Sequence, residues 1–217
     1  MGTDTKDSMI LKILDWAFEN ALEPEIPSMD SAYQMAQHYL KQEGSLEDQV
    51  NLLIRTQSAK SATSGFITGL GGIITLPVVI PADISAVLFI EVRMILTIAI
   101  MGGHDPNNET VKMLVYACLS DSVTEEVLNA ISTEVGIEVL EFSVNRLSLG
   151  VIRKSVGGRL AVHFGSKGFL HLARGIPVLG GIIWGTLDAV DTNRTGNNAR
   201  KLLISRKNME DHKAGAA

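Results

Sequence analysis

Four polar side chains near the C-terminus carry the chemistry that this sequence offers. Asp188, Asp191, Thr195 and Asn198 step by three or four residues, so on a helix they share a face with Gly181, Trp184 and Leu202. Two carboxylates, a hydroxyl and an amide on one strip can hold a cation or the head group of a small ligand. A buried carboxylate is unfavourable unless paired, so the strip needs a positive partner. Arg93 is the expected partner, because it stands in a segment almost empty of charge. The plainer reading, a structural network of ion pairs and hydrogen bonds that fixes helix packing, is preferred. Glu91 is two positions from Arg93, so the two point to opposite sides of a helix and cannot pair there. Glu91 is then either an isolated acid suited to proton transfer or, as preferred, an acid bonded to a nearby hydroxyl or amide. Asp83 completes the candidate set, at the positive N-terminal end of the same expected helix.

Other chemistry has little support. The five histidines, His38, His104, His163, His171 and His212, show no metal-binding spacing, so no metal site is expected. Cys118 has no CxxC partner and reads as a small core residue in VYACL. The FGSKG run at 164–168 lacks the spacing of a phosphate loop, and neither a G-x-S-x-G elbow nor a dinucleotide fingerprint is present. No catalytic residue and no cofactor is assigned.

The elements that must position these groups are helical. Residues 65–103 contain only three charged side chains, Asp83, Glu91 and Arg93, so the segment must be hidden from water. Within it, Pro81 suits the first turn of a helix running to about Met101, where Gly102-Gly103 ends it. Gly71, Gly72 and Pro77 confine the preceding part to a short helix over about 62–75 and an extended link. Upstream, apolar spacing predicts helices over about 7–21 and 31–41, and Ser45 with Asp48 forms a capping box that opens a third through Lys60. Downstream, helices are expected over 109–119 and from Thr124 to about Val144. Glycines at 150, 157, 158, 165, 168 and 175 are expected to divide the next part into short helices or turns. A last helix spans about 177–205. The fold class is all-α: one compact helical domain over 7–205, around a buried apolar helix and a glycine-rich C-terminal helix, with flexible tails at 1–6 and 206–217. The pentapeptide LGGII occurs at 70–74 and again at 179–183. Each copy lies beside a glycine pair at i, i+4 that would let helices approach closely.

Composition bounds the class. Of 217 residues, 46% are hydrophobic and 20% charged, too few apolar for a polytopic membrane protein. A single cysteine excludes an internal disulfide framework and fits a reducing, cytoplasmic setting. No secretory leader is expected at the start, and Lys6 defeats a myristoylation motif. Charge is segregated. Ten acids face five bases through residue 60, while 142–187 has no acid at all. That basic stretch carries Arg153, Lys154, Arg159, Lys167 and Arg174 among Leu, Val, Ile and Phe, a mixture suited to an anionic membrane surface. Its alternative use is as internal counter-charge for the acidic early helices. Nucleic acid is not expected as a partner, since the net charge is −5 and stacking aromatics are few.

GFITGLGGIITLPVVIPADI, EVRMILTIAIMGG, TVKMLVYACL and IPVLGGIIWGTLDAVDTNRTGNNARKLL together resemble the EcsC family of bacterial proteins over about residues 45–207. In the last piece the matching positions are Gly180, Gly181, Asp188, Thr192, Gly196, Ala199 and Arg200. The resemblance implies a cytoplasmic or membrane-associated accessory role, the family being named for a neighbour of an ABC transporter, and implies no known activity. The expected function is therefore a non-catalytic, membrane-associated accessory protein that binds lipid or an integral membrane partner. Two alternatives are a metal-dependent hydrolase using Asp188 and Asp191, and a soluble module that binds an apolar ligand.

Overall fold

The computed structural model describes residues 3–24, 29–61, 82–133, 149–164 and 181–204. These form eight α-helices and, among the described residues, no strand: α1 Thr3–Leu22, α2 Ala32–Leu40, α3 Leu46–Ser61, α4 Ala82–Met101, α5 Glu109–Cys118, α6 Asp121–Thr133, α7 Leu149–Phe164 and α8 Gly181–Leu203. The expected short helix at 62–75, the Pro77 link, the LGGII copy at 70–74 and the C-terminal tail lie outside the described residues.

The core is built around α4. Its side chains from Val87 to Ala99 are all buried, and it packs against α1, α2, α3, α5 and α8. A helix apolar on every side has no solvent face, so it must be enclosed by others. α1 supplies Leu14, Ala17, Phe18 and Ala21, which recur at i, i+3, i+4 and i+7 and are buried. This helix begins at Thr3, inside the stretch expected as a tail.

Local signals set the helix ends. Ser45 and Asp48 form the expected capping box: the Asp48 N–H donates to Ser45 Oγ at 3.2 Å, and the Ser45 N–H donates to Asp48 Oδ2 at 3.0 Å. Ser31 and Gln34 make a second such box at α2, with distances of 3.2 and 2.8 Å. At the end of α4, Gly103 adopts φ +80°, while His104 N–H donates to Ala99 O and Gly103 N–H to Ile100 O. This left-handed stop satisfies carbonyls that the last turn would otherwise leave open.

α8 lies across α3 and α4. Arg200 donates to Asn51 Oδ1 at 2.8 Å, and Gly196 sits against Ile54 and Met94. Because 200 faces 51 and 196 faces 54, the two helices run antiparallel. A Cβ on Gly196 would stand 2.8 Å from Ile54 Cγ1, so the missing side chain is what lets α8 approach. The ends of α4 and α8 also touch: a Cβ on Gly102 would fall 2.3 Å from the Leu203 carbonyl oxygen.

Two expectations are corrected here. α6 starts at Asp121 rather than Thr124, because Ser120 O already accepts the Thr124 N–H as the first helical bond. α7 is one continuous helix through Gly150, Gly157 and Gly158, so these glycines do not divide it. An interior glycine weakens a helix by roughly 1 kcal/mol, which packing of Ile152 and Val156 in the core offsets. α8 is described from Gly181, and the expected start near 177 lies outside the described residues.

Candidate functional site

The last turn of α5 is where the site is assembled. A helix leaves its final carbonyls without partners inside the helix. Here three other helices supply them. Thr124 Oγ1 of α6 donates to Ala117 O at 3.1 Å, Asn198 Nδ2 of α8 to Cys118 O at 3.2 Å, and Arg159 Nη1 of α7 to Leu119 O at 2.9 Å. A cation at this position also meets the negative end of the helix dipole.

Arg159 then reaches inward. Its Nη2 donates to Glu91 Oε1 at 2.6 Å, a short charge-assisted bond to a carboxylate with no exposure. Its Nη1 lies 3.4 Å from Thr195 Oγ1, and its Nε lies 3.9 Å from Asp191 Oδ2. Thr195 Oγ1 in turn donates to Glu91 Oε1 at 3.3 Å. Burial would lower the Arg159 pKa, but the charge and hydrogen bond of Glu91, with Asp191 and Asp121 behind them, carry it above the ordinary arginine value.

In front of Arg159 opens a cleft of about 320 Å³. Asp121, Asp191 and Arg194 form one side, with the Asp121–Arg194 ion pair at 3.2 Å. The other side is a triangle of hydroxyls. Ser120 and Ser155 are hydrogen-bonded to each other, and each lies 3.1 Å from Ser122 Oγ. Asn198 Nδ2 donates to Asp121 Oδ1 at 2.8 Å and so steadies the rim from α8.

The expected strip on the last helix is thus divided. Asp191, Thr195 and Asn198 come together around Arg159 and Glu91. Arg93 does not join them. It is buried on another side of α4, where Nη1 donates to the Asp30 carbonyl at 3.3 Å and the guanidinium lies 5.1 Å from the centre of the Phe89 ring. Burial brings its pKa down to about 10, with Asp30 and Tyr39 acting in opposition. The partner of the polar strip is Arg159, which the basic composition of its neighbourhood had marked as membrane-facing. The structure corrects that placement: Arg159 follows Ile152 and Val156 at i+7 and i+3, on the buried face of α7. Lys154 is exposed on the same helix. Lys167 and Arg174 lie outside the described residues, as do the side chains of Asp83, Asp188 and Arg153.

Asp121, Arg194 and the three serines were not singled out from the sequence. Ser120, Asp121 and Ser122 stand at the start of a helix, which reads as ordinary capping chemistry, and only α7 and α8 turn them into a site. Among the described residues, no group of three or more His, Cys, Asp or Glu side chains is placed to hold a metal.

The model of the EcsC protein family matches residues 8–206. The chain belongs to the EcsC protein family. Its match extends beyond the stretch where resemblance is visible by eye, so α1 and α2 are part of the EcsC unit. No curated protein and no solved structure matches this EcsC chain. No helix among its described residues is long and apolar enough to cross a membrane.

Proposed function

We propose that this EcsC-family chain is a non-catalytic accessory protein that works peripherally at the cytoplasmic face of a membrane, binding lipid or a membrane-protein partner. The observation that carries the reading is the exposed surface of α7 and α8. Val190 is 56% exposed, and Arg194, one turn further along α8, has a side chain 60% exposed. On α7, Val151 is 44% exposed and Lys154 is also exposed. Exposed aliphatic side chains beside cations on each of these helices are suited to an interface where tails meet anionic head groups. Each cation near such a surface adds about 1 kcal/mol at moderate salt.

A binding role is favoured over a catalytic one by the serines. Their hydroxyls bond to one another, whereas an activated serine nucleophile needs an adjacent base. Flotation with vesicles rich in anionic lipid tests the reading. The protein should rise with the vesicles at low salt and be released as ionic strength increases. Failure to float at low salt would overturn it.

A further inference from the structure

We infer that the seam between α1 and α2 binds a free monocarboxylic acid with an apolar tail, its carboxylate held by the Arg93 guanidinium and its tail laid along Trp16 and Met29. The site lies on another side of α4 from the cleft and does not rest on the membrane reading.

Arg93 is the observation that carries this. Its side chain is buried, yet it forms no ion pair among the described residues. Its one hydrogen bond there runs from Nη1 to the Asp30 carbonyl at 3.3 Å, and its Nε has no acceptor. A guanidinium carries five N–H donors in a fixed fork, so most of them are unused. Arg159, also largely buried, has Glu91 at 2.6 Å; Arg93 has only a carbonyl and the face of the Phe89 ring, 5.1 Å away. A buried charge in that condition is unfavourable until a counter-ion meets it. Burial brings its pKa down to about 10, so it still carries its charge at neutral pH.

The neighbours define the way in. Phe89 and Arg93 are one turn apart and share a face of α4. Phe89 meets Trp16 of α1, with ring centres 5.7 Å apart, while Arg93 meets Asp30 just before α2. That face is therefore the floor between the two helices. Each packs closely on α4, but among the described residues they touch one another little. Trp16 and Met29 are only partly buried and pack on the core. An entering acid meets their apolar surface before it reaches the cation. Nε itself is enclosed, so the carboxylate reaches the fork as Trp16 and Met29 shift; partly exposed side chains change rotamer within nanoseconds.

Charge sets the ligand class. One guanidinium balances one negative charge, and the exposed Asp30 already acts on it through space. A dianion would exceed what is unmatched. A carboxylate matches it, and its two oxygens fit the fork.

Titration of Trp16 fluorescence at pH 8 tests this in the full chain carrying Trp184→Phe, which leaves Trp16 as its one tryptophan. Decanoate is the probe. Decanol has the same tail without charge, and decyl phosphate has the same tail on a dianion. Decanoate should move the emission to shorter wavelength and bind at least about tenfold more tightly than decanol, the ratio expected for one charge-assisted hydrogen bond. Decyl phosphate should bind more weakly than decanoate. Arg93→Met should bring decanoate down to the level of decanol. Arg93→Lys keeps the charge without the fork. If circular dichroism shows that Arg93→Met does not fold, Arg93→Lys alone must weaken decanoate while sparing decanol.

No binding of decanoate, equal binding of acid and alcohol, tighter binding of the phosphate, or unchanged binding in the folded variants would each overturn the inference. Arg93→Lys should float with anionic vesicles as the parent does. Failure of the parent to float therefore removes the membrane reading alone, and failure of decanoate to bind removes this site alone.

Discussion

Arg159 and Glu91 are 68 residues apart in the chain and 2.6 Å apart in the fold. The carboxylate has no solvent exposure, so it cannot be rehydrated if the guanidinium is lost. Removing one partner of a buried pair costs about 3–5 kcal/mol. Arg159→Leu should therefore lower the urea midpoint severely. The double variant Glu91→Gln/Arg159→Leu should recover a measurable part of that loss, because no charge is then stranded. A double-mutant cycle from equilibrium unfolding gives the coupling, and a value near zero would contradict the pairing.

Asn198 offers a narrower test. Its amide serves the Cys118 carbonyl and Asp121 together. Asn198→Leu leaves that carbonyl buried without its side-chain donor, a loss of about 1–3 kcal/mol. Asn198→Asp should be at least as damaging, since the new carboxylate would oppose both oxygens. Thermal unfolding of the two variants against the parent measures it.

The glycines at the end of α4 should respond to different degrees despite being neighbours. A Cβ at Gly102 would meet the Leu203 backbone oxygen at 2.3 Å, and backbone cannot step aside as a side chain can. At Gly103 nothing lies within 4 Å, but φ is +80°. Gly103→Ala should thus cost only about 1–2 kcal/mol of left-handed strain, and Gly102→Ala distinctly more. Gly196→Ala is intermediate in kind, since Ile54 and Met94 are side chains. Its loss, about 1–3 kcal/mol for overpacking, should be reduced by Ile54→Val. Chemical denaturation of the four variants ranks them.

Stability should fall on the alkaline side. Burial pushes the Cys118 thiol well above its ordinary 9.0, and burial with the hydrogen bond to Asp15 pushes the Tyr116 phenol well above its ordinary 10.0. Above about pH 9 the unfolded chain releases these protons while the folded chain keeps them, so rising pH favours unfolding. Below that pH both states hold the protons, and these two groups impose no slope. Unfolding free energy measured from pH 7 to 10.5 should be flat in this respect up to about pH 9 and decline above it. Cys118 should resist thiol reagents at pH 8 until the protein is unfolded.

The helices were largely legible because their signals are local. The Leu14–Ala21 spacing, the Ser45–Asp48 box, the glycine pair after Met101 and the charge-poor run of α4 each act within one or two turns. What was not legible is partner choice. Arg93 was expected to answer the acids of α8, yet it lies on the α2 side of α4, and nothing in its immediate neighbours reveals that. Arg159 was placed by regional charge, when its spacing to Ile152 and Val156 already put it on an inward face. The serine triangle joins α6 to α7 over 33 and 35 residues, and no pattern within either helix announces it.

The carbonyls at the end of α5 have a consequence for how the molecule is made. Two of their three donors, Arg159 and Asn198, come from 40 and 80 residues further along the chain. During synthesis α1 to α6 leave the ribosome before α7 and α8 do, with Glu91 and the α5 terminus still lacking those companions. Contacts so distant in sequence form slowly and late. The nascent protein therefore passes through an interval in which the apolar α4 is out but its keystone cation is not, and that interval is when a chaperone or a membrane surface would find it most receptive.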